Sequence, residues 1–389
     1  VASQVAEIVV DVRQGGDAAI EAFTQRFDMG GAPAPPLRVG GDELAQAEQD
    51  LDDSVRRGLK LALGNVLEVA AAGCIDEDIV LDHPDRRLTV REQPVRRAAV
   101  YVPGGRAPYP STVIMGVAAA RAAGVAEIAV SSPPPVDPVI LGACRLCGVE
   151  EVYRMGGAQA IAALAYGTET VPGVEVIVGP GNIYVQEAKR QVSSVVGIDG
   201  FAGPSDLMVI VEDDVADLEP IALDLLAQAE HGAGTLAIGV STSTAVCDRL
   251  RTELASADTG AVLRVVQAPT IEDALALAEE FAPEHLQLAG ARAESLAPRI
   301  RRAGCLFVGT NAGTAFGDYV AGSNHVLPTN GSARFTSGLS ASQFRRRLTE
   351  VRITDPDGLA RAAAPVARAE GFELHARSME ARIRDNRRK

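Results

Sequence analysis

Thiols, basic charge and long apolar runs are all scarce in this chain, and each shortage excludes a class of protein. Its five cysteines are odd in number and follow no framework spacing, which argues against a disulfide scaffold. Cys144-Arg145-Leu146-Cys147 does match C-x-x-C. It closes an Ala/Leu-rich helical stretch, however, and no second pair exists to complete a tetrahedral thiolate site, so both cysteines read as core residues. No apolar run approaches the roughly 20 residues of a membrane span. The start, Val1-Ala2-Ser3-Gln4-Val5-Ala6-Glu7, lacks the charged-then-apolar order of a secretion signal. A net charge of −14 leaves no basic face for a nucleic acid. No Pro/Gly/Ser tract is long enough to be a disordered linker. The expected class is a soluble, cytoplasmic protein, and 389 residues with 47% hydrophobic content imply two or more cores.

Histidine is scarce too, but informatively placed. Of five, only His83, in Leu81-Asp82-His83-Pro84-Asp85, reads as a solvated turn. His231 closes Gln228-Ala229-Glu230-His231-Gly232, and His285 follows Glu284 in Ala282-Pro283-Glu284-His285-Leu286. His325 lies seven residues after Asp318, and His375 five after Glu370. Imidazole titrates near neutral pH and ligates transition metals, so imidazoles set beside carboxylates and amides point to chemistry.

From Ala98 onward short β-branched runs alternate with helix-period stretches. The first series of strands is expected at 99–102, 127–130, 150–153 and 175–178; the second is expected at 207–211, 236–240, 262–266, 285–288 and 305–308. Helices are expected between them, including one over 293–302. Such alternation implies right-handed crossovers and parallel sheets covered on both faces, giving two similar, incomplete Rossmann-like α/β halves. The expected division places 99–206 in one domain and 1–98 with 207–335 in the other. The segments 5–28 and 53–72 read as amphipathic helices that pack on one of the halves. After Gly331 the strands are expected to stop. A charged helical tail, 336–389, with helix over 342–347 and 357–386, would then dock on another surface such as a partner subunit.

Gln228 and His231, three apart on a helix, share a face near its C-terminus; the spacing fits adjacent metal ligands or a capping imidazole beside a solvated amide. Glu284-His285 at a strand entrance offers two proton acceptors of different basicity, although the dipeptide alone equally fits a structural role. The glycine- and asparagine-rich stretch 313–330 around Asp318 and His325 is long for an α/β connection, which favours function. Gly156-Gly157-Ala158-Gln159 and Gly179-Pro180-Gly181-Asn182 each follow a strand and open a helix, where backbone amides can receive phosphate. Neither completes G-x-G-x-x-G, the run from Gly179 having Tyr184 where its third glycine belongs, so the dinucleotide fingerprint is absent.

Together these motifs resemble the histidinol dehydrogenase family. The resemblance is carried in order by Tyr101-Val102-Pro103-Gly104-Gly105, the two glycine runs, Ala188-Lys189-Arg190-Gln191-Val192 and Ala202-Gly203-Pro204-Ser205. It continues through Gln228-Ala229-Glu230-His231-Gly232, Pro283-Glu284-His285-Leu286, Gly317-Asp318-Tyr319, Asn324-His325-Val326-Leu327-Pro328-Thr329, and Glu370-Gly371-Phe372 with His375. It implies a homodimeric, zinc- and NAD-dependent enzyme of histidine biosynthesis that oxidises L-histidinol through L-histidinal to L-histidine with two NAD. By motif position it implies Gln228, His231, Asp318 and His375 as zinc ligands and Glu284 and His285 as the acid–base pair. Substrate contacts would come from Ser205, Gln228, His231, His285, Asp318, His325, Glu370 and His375, and NAD contacts from Tyr101, Gln159 and Asn182. The tail would reach the neighbouring subunit's site. Departures are Asp206 where Glu is commoner, an atypical stretch over 311–316, and a start near the family's second helix, so that an N-terminal arm is either missing or was never present. Two other readings are a zinc and NAD dehydrogenase of another small polar alcohol, such as a sulfonated diol, and a two-lobed metal-binding or carrier protein.

Overall fold

The computed structural model describes residues 1–104, 107–255 and 259–383; Gly105 and the end of the expected tail helix near Asn386 lie outside the described residues. Two compact units divide the chain. One comprises Val1–Cys74 with Val95–Phe344, the other Ile75–Pro94 with the described residues from Arg345 onward.

The larger unit holds two five-stranded parallel sheets. In the first, Arg97–Tyr101 is central; Glu127–Ser132 and Glu151–Arg154 follow on one side, Val176–Val178 and Gly197–Ile198 on the other. The second repeats the plan, with Asp206–Val211 central, Leu236–Ser241 and Val262–Gln267 on one side, and His285–Ala289 and Cys305–Val308 on the other. Each order reverses once beside the central strand, as in doubly wound sheets. The central strands are unbroken apolar runs because both faces are covered: Ala98, Ala99 and Val100, like Leu207 to Val211, are fully buried. Local signals delimit the helices. Asp137, Ser243 and Thr270 cap helices Pro138–Leu146, Thr244–Leu254 and Ile271–Phe281 with their side chains. The expected helix over 293–302 is reduced to Ala291–Glu294 and a 3-10 turn, Ala297–Arg299, because Pro298 breaks it.

The amphipathic N-terminal segments cover the first sheet. Val5, Ile8, Val12 and Ile20 pack with Ala99, Tyr101 and Ile161 on one face, while Leu44, Leu59 and Val66 pack with Val100 and Ile114 on the other. The division that joined 1–98 to 207–335 therefore differs from the observed packing, and Leu339 and Phe344, assigned to the tail, also join the first sheet's core. A helical stripe announces an apolar face, not the partner that will cover it. The second sheet has cores of its own on both faces. Cys144 and Cys147 are fully buried in the first sheet's core, as their surroundings implied.

The smaller unit corrects a second expectation. Strands do not stop after Gly331: Arg345–Ile353 runs antiparallel to Arg86–Pro94, which pairs in turn with Ile79–Asp82. Instead of a helix over 342–347 there is a 3-10 turn, Ala341–Phe344, leading into that strand. Arg345-Arg346-Arg347-Leu348-Thr349-Glu350-Val351-Arg352-Ile353 alternates too weakly for a period of two to stand out, and its partner strand lies far upstream. Helices Asp357–Ala369 and Glu373–Glu380 follow, packed through Ala364, Ala367, Ala376 and Met379.

Candidate active site

Two neighbouring strands of the second sheet enter side by side, with His285 paired to Leu207. This brings Ser205 and Asp206 against Glu284 and His285, although some 80 residues separate them in sequence. The Asp206 N–H donates to Glu284 Oε2 at 3.0 Å, and the Glu284 N–H donates back to Asp206 Oδ1 at 2.7 Å. The Ser205 hydroxyl also donates to Glu284 Oε2 and accepts from Gln228 Nε2. His285 Nδ1 lies 3.3 Å from the Asp206 carbonyl. That oxygen can only accept, so Nδ1 carries a proton and Nε2 faces the site. Both members of the dipeptide reach one cleft because Ala282, in the left-handed region at φ 53°, turns the chain into Pro283 before the strand begins.

Helix Glu219–Ala229 delivers Gln228 from its last turn. His231 lies just beyond the helix, its Nδ1 3.0 Å from the Gln228 carbonyl, and Gly232 at φ 90° then reverses the chain. Asp318, on the short helix Thr314–Tyr319, sets Oδ1 3.6 Å from His285 Nε2. Its carbonyl accepts from His325 Nδ1 at 2.9 Å, and His325 Nε2 lies 3.4 Å from Thr112 Oγ1 on helix Pro110–Ala123. The Asn324 amide donates to the Met115 carbonyl on the same helix at 3.0 Å. The loop carrying His325 is thus fastened to the first sheet's cover.

Gln228, Glu284 and His285 are almost wholly buried. Burial raises the Glu284 pKa against the opposing pull of His285. Burial and the neighbouring Glu284 carboxylate push Asp206 up to about 6. For His285 burial works downward, but Asp318 and Glu284 together outweigh it and raise the pKa. Asp318 is lowered: burial opposes this, yet His285, His325 and His231 prevail. Burial lowers the His325 pKa against the opposing pull of Asp318. An imidazole set between two carboxylates is a strengthened proton acceptor, because they stabilise the imidazolium it becomes.

At the C-terminal edge of the first sheet a second cluster forms. Tyr101 ends the central strand, and its hydroxyl accepts from the Gly157 N–H at 3.1 Å. Burial raises its pKa to about 12. Gln159 donates to Asp28 Oδ2 at 3.3 Å. Asn182 caps helix Ile183–Val192 by accepting from the N–H groups of Tyr184 and Val185. Gly179, at φ 115°, lies so close to the strand that a Cβ would stand 2.0 Å from the Tyr101 carbonyl oxygen. The cavity beside Gly179, Lys189 and Asp199 is also lined by Val326, Leu327 and Pro328, which directly follow His325.

The sequence profile described as histidinol dehydrogenase matches residues 1–383. The chain belongs to the histidinol dehydrogenase family. It is 43% identical over 405 residues to the histidinol dehydrogenase of Rhodospirillum rubrum, spanning 97% of this chain and 91% of that protein. The crystal structure of histidinol dehydrogenase from Elizabethkingia anophelis superposes with a TM-score of 0.92 at 31% identity, covering 98% of this chain and 91% of that one. A succinate-semialdehyde dehydrogenase from Burkholderia pseudomallei overlays with a TM-score of 0.50 at 14% identity, covering 91% and 90% of the two chains, a likeness of fold alone. Membership decides for an oxidoreductase over a metal carrier. No helix among the described residues is long and apolar enough to cross a membrane.

Within this histidinol dehydrogenase fold, Ser205, Gln228, Glu284, His285, Asp318 and His325 gather in the larger unit, with His231 close enough to act electrostatically on Asp318. Glu370 and His375 lie on the smaller unit, where His375 packs on the Phe372 ring at 5.1 Å and both residues are exposed. No group of three or more His, Cys, Asp and Glu among the described residues is placed to hold a metal ion. Sequence reasoning missed two residues. Asp206, noted only as a departure, binds both Glu284 and His285; Asp28 meets Gln159 from the end of helix Ala2–Phe27. Only tertiary pairing brings either one to its partner.

Proposed function

We propose that this enzyme oxidises L-histidinol through L-histidinal to L-histidine with two NAD, using zinc. The observation that carries the reading is the set of contacts on Glu284-His285: Ser205 and Asp206 hold the dipeptide from one side, and Asp318 faces His285 Nε2 from the other. Neutral His285 takes the proton of the alcohol, and Asp318 and Glu284 stabilise the imidazolium that forms. In the second oxidation Glu284, its basicity raised by burial, activates the water that hydrates the aldehyde. Bound NAD would supply the acceptor for the hydride of each oxidation; Tyr101, Gln159 and Asn182 would hold it.

The donor set would suit zinc through nitrogen and oxygen without thiolate: Gln228 donates to Ser205, His231 lies against the Gln228 carbonyl, and Asp318 faces His285. Gln228, His231 and Asp318 would hold the ion with His375, and the ion would supply positive charge that orients the substrate's nitrogens. Three ligands of one chain leave room for an imidazole brought by a partner's tail. The exposed Glu370 and His375 on a helical pair with a small core fit an active site shared in a homodimer, with Ser205, His325 and Glu370 as further substrate contacts. The test is stoichiometry: incubation with L-histidinol and excess NAD should give two NADH and one histidine per substrate consumed. One NADH with accumulating aldehyde would contradict the two-step reading, and no NADH would contradict the substrate.

A further inference from the structure

Two ionised side chains that take no part in this chemistry are buried where the first sheet's strand order reverses. Lys189, on helix Ile183–Val192, is 1% exposed, and Asp199 follows strand Gly197–Ile198; Nζ and Oδ1 are 2.6 Å apart. Burying such a pair costs several kcal/mol per ion before attraction offsets it, and a well-packed apolar pair often serves stability as well or better. Stability alone is therefore a weak reason for it. Its other contacts supply a better one. Asp199 Oδ2 accepts from the Gly179 N–H at 2.6 Å, and Lys189 Nζ donates to the Gly179 carbonyl at 2.5 Å. The two charges grip both polar backbone atoms of the residue whose left-handed conformation presses it against Tyr101. Gly179 opens the loop that ends in Asn182, and the Tyr101 hydroxyl reaches the glycine run that carries Gln159.

We propose that the Lys189–Asp199 pair is a positioning element of the dinucleotide site. It fixes Gly179 so that the loop to Asn182 and the end of the Tyr101 strand present one crevice to the cofactor. It acts through the backbone and touches no reacting atom. The inference rests on the reading that Tyr101, Gln159 and Asn182 contact NAD.

The test is an NADH fluorescence titration without histidinol on wild type, Lys189→Met and Asp199→Asn, with thermal melting and separate KM values for NAD and histidinol. Losing a charge-assisted hydrogen bond from the loop should weaken NADH binding about 10-fold or more in Lys189→Met. Asp199→Asn, which keeps an acceptor for the Gly179 N–H, should weaken it less. The KM for NAD should rise alongside, while the KM for histidinol and the metal content hold. Unchanged NADH affinity in folded variants, with only the melting temperature lowered, would overturn the positioning role; if Lys189→Met does not fold, unchanged affinity in Asp199→Asn does so. Absence of NADH binding to wild type would instead overturn the cofactor reading itself, before any substitution is made.

Discussion

The two parallel sheets share one strand order, yet their candidate residues stand at opposite ends. Tyr101 ends a strand and Gln159 and Asn182 follow strands, at the C-terminal edge of the first sheet; Ser205 and Glu284 precede strands and His285 begins one, at the N-terminal edge of the second. Doubly wound sheets offer their ligand crevice at the C-terminal edge, where the order reverses. In the first sheet that place is the glycine loop 179–182 beside Tyr101. In the second it is filled by the chain's own carboxylates. Glu212, 1% exposed, accepts from Thr242 Oγ1 at 3.0 Å and pairs with Arg292 at 3.2 Å. Asp214 Oδ2 accepts from the Ala291 N–H at 2.8 Å, and Glu294 Oε1 from the Gly290 N–H at 3.2 Å. Those amides would otherwise be free for a phosphate. One strand order has thus been used twice, and in the second copy the C-terminal edge is occupied by the chain's own carboxylates. That copy contributes its opposite edge, where buried carboxyls shift one another's basicity.

The largest test of this division concerns the metal. His231→Ala and His375→Ala should each lose bound metal and activity in both oxidations, since a missing ligand undoes substrate orientation. Mixed under subunit exchange, the two inactive proteins should recover activity, because a mixed dimer holds one site with both native residues. Continued inactivity despite proven exchange would confine the site to single chains.

Next come the two proton acceptors. His285→Asn should slow histidinol oxidation by about 10²–10⁴-fold, whereas Glu284→Gln should chiefly slow oxidation of histidinal. Equal losses in both half-reactions for both variants would collapse the distinction between them. On the other edge a smaller effect is expected. Asn182→Ala should raise the KM for NAD by about 10-fold, leaving the KM for histidinol near its wild-type value. A rise confined to histidinol would place Asn182 on the wrong side of the comparison.

Parallel sheets were the legible part of this molecule, because strands such as Leu207-Met208-Val209-Ile210-Val211 advertise burial on both faces without reference to anything distant. Side-chain alternation could not reveal Arg345–Ile353, whose partner lies in Arg86–Pro94. The stripe of Val5, Ile8 and Val12 showed that it needed a partner, without naming the first sheet. Within the site, Glu284-His285 meant little as a dipeptide; it acquires meaning from Asp206 and Asp318, neighbours only after the sheet forms. The motif resemblance supplied what residue types could not, and it treated Asp206 as a departure when that residue grips the dipeptide in three places: through its N–H, its carboxylate and its carbonyl.

The smallest expected effect belongs to Asp28. Burial raises its pKa from 3.8 to about 6, so the folded state keeps a proton that the unfolded chain has already released in that window. Stability should therefore fall as pH rises from about 4 to about 6, and Asp28→Asn should remove this part of the decline. Melting temperatures of the two proteins, compared at about pH 4 and about pH 7, check the sign: the variant should gain on wild type at the higher pH. An unchanged difference would show that the carboxyl titrates alike in both states.

The central claim is that cofactor binding and proton transfer reside on different sheets. It is tested most directly by titrating NADH into His285→Asn. With the division described, the dissociation constant should stay within about twofold of wild type, as expected for sites without shared partners, while turnover of histidinol is lost. A dissociation constant that weakens in step with turnover would mean that the two edges form a single binding surface, and the division would be wrong.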